Sequence, residues 1–146
     1  MDESIAMLKA VWTQDPVSFK SRYIAAEIED MRMTPQPSRP IPLWIGGTAD
    51  ATLARTIKVA DGWHGSRLAP EKVEPIVRRL RTARPDPAFT VSMRMRWDGA
   101  DDHVLADRIA AYRAIGVQHL LVEPESRETG DWDAVIEGVG RAAARS

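Results

Sequence analysis

Apolar residues recur along this chain with two different periods. At the start, Ile5, Leu8, Val11 and Trp12 fall at i, i+3, i+6 and i+7, one stripe of a helix over about 1–13. Asp2 and Glu3 stand at its beginning and Lys9 towards its end, as the helix dipole favours. Residues 14–40 break the pattern. Pro16, Pro35, Pro37 and Pro40 punctuate this stretch, and Thr34-Pro35-Gln36-Pro37 excludes regular helix or a central strand. It reads as an excursion over a main body, with at most a weak hairpin around an extended segment from Tyr23 to Ile28.

From residue 41 the pattern turns regular. Ile41-Pro42-Leu43-Trp44-Ile45 is a short apolar run closed by Gly46-Gly47, and Thr48 is placed to cap a helix with Leu53, Ile57 and Ala60 inward. Gly62-Trp63-His64 predicts a very short strand. A helix over about 70–83 carries Val73, Ile76, Val77 and Leu80; Pro70 suits its first turn, whereas Pro75 predicts a kink or a later start. Phe89 to Trp97 alternates strictly, the clearest strand signal in the chain. Asp101 or Asp102 opens a helix with Leu105, Ile109 and Tyr112, which Gly116 ends. Val117 to Val122 is a strand closed by Glu123-Pro124, and a last helix over about 131–144 carries Val135, Ile136 and Val139.

Four βα units in series over 41–146 imply an α/β fold with parallel strands and right-handed crossovers. A closed barrel needs about eight strands, so these units make a small open sheet or half a barrel. The 146 residues are the size of a single domain, 1–146.

Composition narrows the function classes. The net charge of −1 argues against a nucleic-acid platform. No apolar run approaches the ~20 residues that span a bilayer. Met1-Asp2-Glu3-Ser4 lacks the basic, apolar pattern of a secretion signal, so a cytoplasmic protein is expected. With 0 cysteines there is no disulfide scaffold, thiolate metal site or Cys nucleophile. No His-x-x-x-His cluster, Walker loop or nucleophile elbow is present either. Arg supplies most of the positive charge and Ala is abundant, a bias that says little about chemistry.

Three groups of residues carry candidate chemistry. Gly46-Gly47-Thr48, between a strand and a helix start, lets backbone N–H groups approach a phosphate; without a ligand it is a tight βα turn. Trp63 and His64, at the carboxyl end of a short strand, either wall a flat ring and offer a hydrogen bond, or are a core indole and a solvated imidazole. Arg94 and Arg96 share one face of the alternating strand, opposite Val91, Met93, Met95 and Trp97. They must meet a carboxylate, with Glu123 the obvious partner, or a ligand anion. His103 and His119 stand at element starts, far from the carboxyl ends where α/β ligands bind, and read as structural.

The ordered set of features resembles the carboxyl-terminal half of luciferase-like monooxygenases, the FMN- and F420-dependent oxidoreductases. The matching residues are Glu3 with Ile5 to Trp12, Pro16-Val17-Ser18-Phe19, Arg22-Tyr23 and Pro35-Gln36-Pro37. They continue with Pro40-Ile41-Pro42-Leu43-Trp44-Ile45-Gly46-Gly47, Asp61-Gly62-Trp63 and Gly116-Val117-Gln118-His119-Leu120-Leu121-Val122. The resemblance implies a (β/α)8 barrel of which this chain supplies the last four strands, without the half that brings most of the ring pocket. It implies F420 or FMN as cofactor, with Gly46, Gly47 and Thr48 at its phosphate and Trp63 and His64 near its ring or the substrate mouth. No catalytic residue follows from it.

Three functions are compatible with this reading. The first is an oxidoreductase half-barrel that pairs with a second copy, covering two open sheet edges. The second is a non-catalytic binding remnant of the same fold. The third is a small doubly wound domain that binds a phosphorylated metabolite at Gly46-Gly47.

Overall fold

The computed structural model describes residues 1–23, 25, 27–125 and 129–145. They form two compact units, Met1–Pro42 and Leu43–Ser146.

In the first unit, helix α1 (Asp2–Thr13) buries Ile5, while Leu8 of the same stripe is 40% exposed. Strands β1 (Val17–Lys20) and β2 (Glu27–Met31) pair antiparallel, with a register shift between Val17 and Phe19. This is the hairpin that the sequence suggests. The extended segment expected from Tyr23 falls partly on residues 24 and 26, outside the described residues, and β2 begins at Glu27. Glu3 accepts hydrogen bonds from Ser21 Oγ (2.6 Å) and the Arg22 N–H, which ties α1 to the hairpin. Gln36 secures the proline stretch by donating to the Gln14 carbonyl at 3.1 Å.

The second unit alternates strands and helices. Its order is β3 (Trp44–Gly46), α2 (Asp50–Val59), β4 (Gly62–Ser66), α3 (Pro70–Ala83), β5 (Thr90–Trp97), α4 (Asp102–Ala114), β6 (His119–Pro124) and α5 (Thr129–Ala143). The strands form a parallel four-stranded sheet in the order β3-β4-β5-β6. Right-handed crossovers between strands laid down in sequence put every helix on the same side. The core has this form. Trp63, Val91, Met93, Met95 and Trp97 pack with Leu53 of α2, Val77 and Leu80 of α3, Leu105 and Tyr112 of α4, and Val135 and Ala142 of α5. The doubly wound alternative is therefore corrected: such a fold reverses its strand order and carries helices on both faces.

Three local expectations also change. Strand β3 starts at Trp44 rather than Ile41, because Pro42 has no N–H to give to a ladder. Helix α2 is capped at Ala49, with no side-chain cap bond, so Thr48 lies in the turn before it. The left-handed Gly47 (φ +113°) delays the point at which the backbone turns helical. Of the two expectations for Pro75, the later start is excluded, because α3 runs from Pro70 through Pro75 to Ala83.

Candidate functional site

Parity along the strands sorts side chains onto two faces. Residues 63, 91, 93, 95 and 97 face the helices. On the other face the register aligns Gly46, His64, Ser92 and His119 in one row, then Ser66, Arg94 and Leu121, then Arg96 and Glu123. Ser92 is fully buried and His64 half-buried, while His119 and Leu121 are exposed.

The Asp61-Gly62-Trp63-His64 segment organises this region one residue at a time. Asp61 closes the start of β3: its carboxylate accepts from Leu43 N–H at 2.9 Å, and its own N–H donates to the Leu43 carbonyl at 2.8 Å. Gly62 makes room for Trp44, since a Cβ there would lie 2.8 Å from the indole Cδ1. Trp63 is fully buried among the helices and sends its indole N–H to the Gly47 carbonyl at 2.9 Å. Of the two readings of Trp63, the structure shows the packed one, because a ring with no exposed surface offers no wall for stacking. His64 faces the other way, with Nδ1 2.9 Å from Ser92 Oγ.

Ser92 Oγ also lies 2.8 Å from His119 Nδ1. The His119 ring meets Trp44 edge to face, with centroids 5.3 Å apart. Burial, then the Arg94 guanidinium and His119, lower the pKa of His64 below the ordinary imidazole value.

Towards the carboxyl ends of the strands the chemistry is cationic. Arg96 Nε donates to Glu123 at 3.0 Å, Arg67 stands 3.6 Å from the same carboxylate, and Arg94 stands 4.0 Å from it. Arg94 also donates to Ser66 Oγ at 3.1 Å. The hydrogen bond from Arg96, reinforced by the charges of Arg94 and Arg67, holds the Glu123 carboxyl below the usual range. Three guanidiniums against one carboxylate leave an excess of positive charge. Arg67 sits at φ 57° with its N–H on the Arg94 carbonyl. Beside it a cavity of about 450 Å³ opens between Arg67, Leu68, Met95, Arg96, Arg108 and Tyr112. Tyr112 closes one wall by donating to the Leu68 carbonyl at 2.6 Å. This end of the sheet is where α/β folds hold ligands.

The Gly46-Gly47-Thr48 turn is exposed, and a Cβ at Gly46 would stand 3.0 Å from the His64 carbonyl oxygen. A Cβ at Gly47 would stand 3.1 Å from Thr52 Cγ2. Asp50, the acidic residue in the first turn of α2, is ion-paired with Arg79. The first turn therefore keeps N–H groups that no side chain caps, a donor set suited to a phosphate. Among the described residues, no group of His, Asp and Glu could hold a metal ion, and no helix is long and apolar enough to cross a membrane.

The sequence profile of luciferase-like monooxygenases matches residues 1–138. The chain belongs to the luciferase-like monooxygenase family. Among its family relatives, an uncharacterised protein of Mycobacterium tuberculosis (strain ATCC 25618 / H37Rv) is 32% identical over 90 residues, 62% of this chain and 30% of that protein. An F420-dependent glucose-6-phosphate dehydrogenase of Amycolatopsis mediterranei (strain U-32) is 28% identical over 105 residues, 66% of this chain and 31% of that protein. A solved F420-dependent secondary alcohol dehydrogenase, in complex with an F420-acetone adduct, superposes with a TM-score of 0.70 at 16% identity. That superposition covers 94% of this chain and 60% of that one, and shows a shared fold. The matches to the two relatives thus span under a third of their length.

Within this family fold, sequence reasoning finds Arg94, Arg96 and their partner Glu123, and it misses Ser92, His119 and Arg67. Ser92 has a signal, because it shares the parity of Arg94 and Arg96. His119 has none until the β5–β6 register is known. The structure does not gather all candidates at one point: the glycine turn follows β3, whereas the arginines cluster around Glu123 on β5 and β6.

Proposed function

We propose that this chain forms the carboxyl-terminal half of a (β/α)8 barrel and works as part of an F420- or FMN-dependent oxidoreductase. The observation that carries this reading is the two-faced sheet. Four helices bury one face, and the other presents His64, Ser92, Arg94, Arg96, His119 and Glu123, with the arginines and Glu123 towards the carboxyl ends of the strands, where barrel enzymes hold their ligands. Gly46, Gly47 and Thr48, with the uncapped start of α2, hold the cofactor phosphate. His64 stands near its ring or the substrate, and Arg94 and Arg96 contact an anionic group of substrate or cofactor.

When bound, the cofactor supplies hydride or electron exchange; the chain's own residues bind it, orient it and exclude water. Two relatives named for F420 favour that cofactor over FMN. The outer strands β3 and β6 have free edges among the described strands. A second copy, pairing there, completes the enclosure.

The test is a melting series with F420 and with FMN. At 100 times its dissociation constant a ligand stabilises by about 2.7 kcal/mol, so the midpoint rises with one of them. No shift with either overturns the cofactor reading and leaves a binding remnant of the fold. Light scattering checks the pairing: a dimer is expected, and a folded monomer at tens of micromolar would overturn it.

A further inference from the structure

We propose that His64, Ser92 and His119 form a proton relay across β4, β5 and β6, which moves a proton between a half-buried imidazole and an exposed one. The three residues occupy one row of the parallel register. Both imidazoles address the same hydroxyl through Nδ1, at 2.9 Å from His64 and 2.8 Å from His119. Both distances lie in the range of good hydrogen bonds. Ser92 has no exposed surface, so water does not compete for its oxygen. Trp44, edge-on to His119, restrains the outer ring.

Proton counting gives the arrangement its function. A serine hydroxyl donates one hydrogen and accepts at its lone pairs. To satisfy both contacts, one histidine must carry its proton on Nδ1 and donate to Oγ, while Oγ donates to the bare Nδ1 of the other. With one extra proton on the pair, His64 holds it as an imidazolium, donating Nδ1–H to Ser92. In the transfer, the His64 Nδ1–H bond breaks and an Oγ–H bond forms. The original Oγ–H bond breaks and an Nδ1–H bond forms on His119. The charge passes from His64 to His119, no electrons change hands, and the heavy atoms stay in place. A second extra proton is opposed, because both rings would then donate to one oxygen and stand as adjacent cations. The pair therefore carries a single proton between the two rings of this row.

The charged groups that face His64 push in the same direction. Arg94 from β5 and His119 from β6 both disfavour its imidazolium, and β3 brings only Gly46 to this row. The imidazolium of His64 is thus disfavoured in place. Two-electron chemistry by hydride exchange leaves a proton for the protein to manage; this use of the relay rests on the oxidoreductase reading, whereas the relay itself rests on three side chains.

The test is ring-nitrogen NMR of the histidines in the full chain, titrated through neutral pH. His103, bonded elsewhere near Arg145, serves as the internal control for folding. In the unsubstituted protein, His64 and His119 are expected in opposite neutral tautomers at high pH, with the His64 midpoint below that of an ordinary imidazole. Ser92→Ala should abolish the tautomer lock, and His119→Gln should raise the His64 midpoint, with His103 unchanged in both. Two identical neutral tautomers in the unsubstituted protein overturn the relay, whether or not Ser92→Ala folds. So does a His64 titration that neither substitution alters. Cofactor melting reads a different quantity: loss of that shift overturns the oxidoreductase reading, and the tautomers alone decide the relay.

Discussion

The indole N–H of Trp63 donates to the carbonyl of Gly47 at 2.9 Å, so a fully buried core residue holds the exposed glycine turn from beneath. The two halves of the motif, strand-Gly-Gly and Asp-Gly-Trp, are joined by this bond. Trp63→Phe removes the donor and part of a tightly packed ring. We expect a loss of about 2 kcal/mol, from one buried hydrogen bond and a small cavity. Urea unfolding measures it. An unchanged midpoint would mean that the bond does not hold the turn.

Gly47 has φ +113°, which side chains rarely adopt, and faces Thr52 Cγ2 at 3.1 Å from a built Cβ. Gly47→Ala should cost about 1–3 kcal/mol, mostly as backbone strain. Adding Thr52→Ser removes the methyl in the way and separates the two causes. Most of the loss should persist in the double variant; full recovery would assign it to the contact. The same substitution should reduce the cofactor-dependent melting shift, because the turn would no longer hold its shape.

How much of this was readable from the residues alone depends on what fixes each feature. The alternation Val91, Met93, Met95, Trp97 against Ser92, Arg94, Arg96 defines both faces of β5 directly, since parity is local. The Arg96–Glu123 pair is also legible, because a half-buried charge must find a partner. The His64–Ser92–His119 row is not legible. Its register depends on how two crossovers and their helices pack, and a one-residue slip would separate the rings. Thr48 fails as a cap for a related reason: residue preference names a good cap, but the backbone turn after Gly47 decides where the helix begins.

Glu123 gives a pH dependence with a definite sign. Its folded pKa lies below the 4.5 reference, chiefly through the Arg96 hydrogen bond. A lowered acid stabilises the fold above its unfolded pKa and loses that contribution as pH falls through the folded value. The stability difference between the unsubstituted chain and Glu123→Gln should be constant above roughly pH 5 and shrink below it. Urea midpoints at neutral and acid pH measure the difference. A pH-independent gap would show that the carboxylate is not engaged by the arginines.

Two glycines in α5 should respond to the same substitution with opposite signs. Gly138 is buried, and a Cβ there would lie 2.2 Å from Cη2 and 2.4 Å from Cζ3 of Trp97, an indole only 3% exposed. The ring is walled in by the core, so it has little freedom to retreat. Gly140 is exposed, and a Cβ there meets no heavy atom within 4 Å among the described residues. Replacing glycine by alanine inside a helix is worth up to about 1 kcal/mol through propensity. Overpacking a core typically costs about 1–3 kcal/mol. Gly140→Ala should therefore raise the melting midpoint, because only propensity acts there. At Gly138 the collision exceeds that gain, and Gly138→Ala should lower the midpoint. Equal stabilisation by both substitutions would show that α5 can move off Trp97, and that the helix layer over β5 is looser than its packing implies.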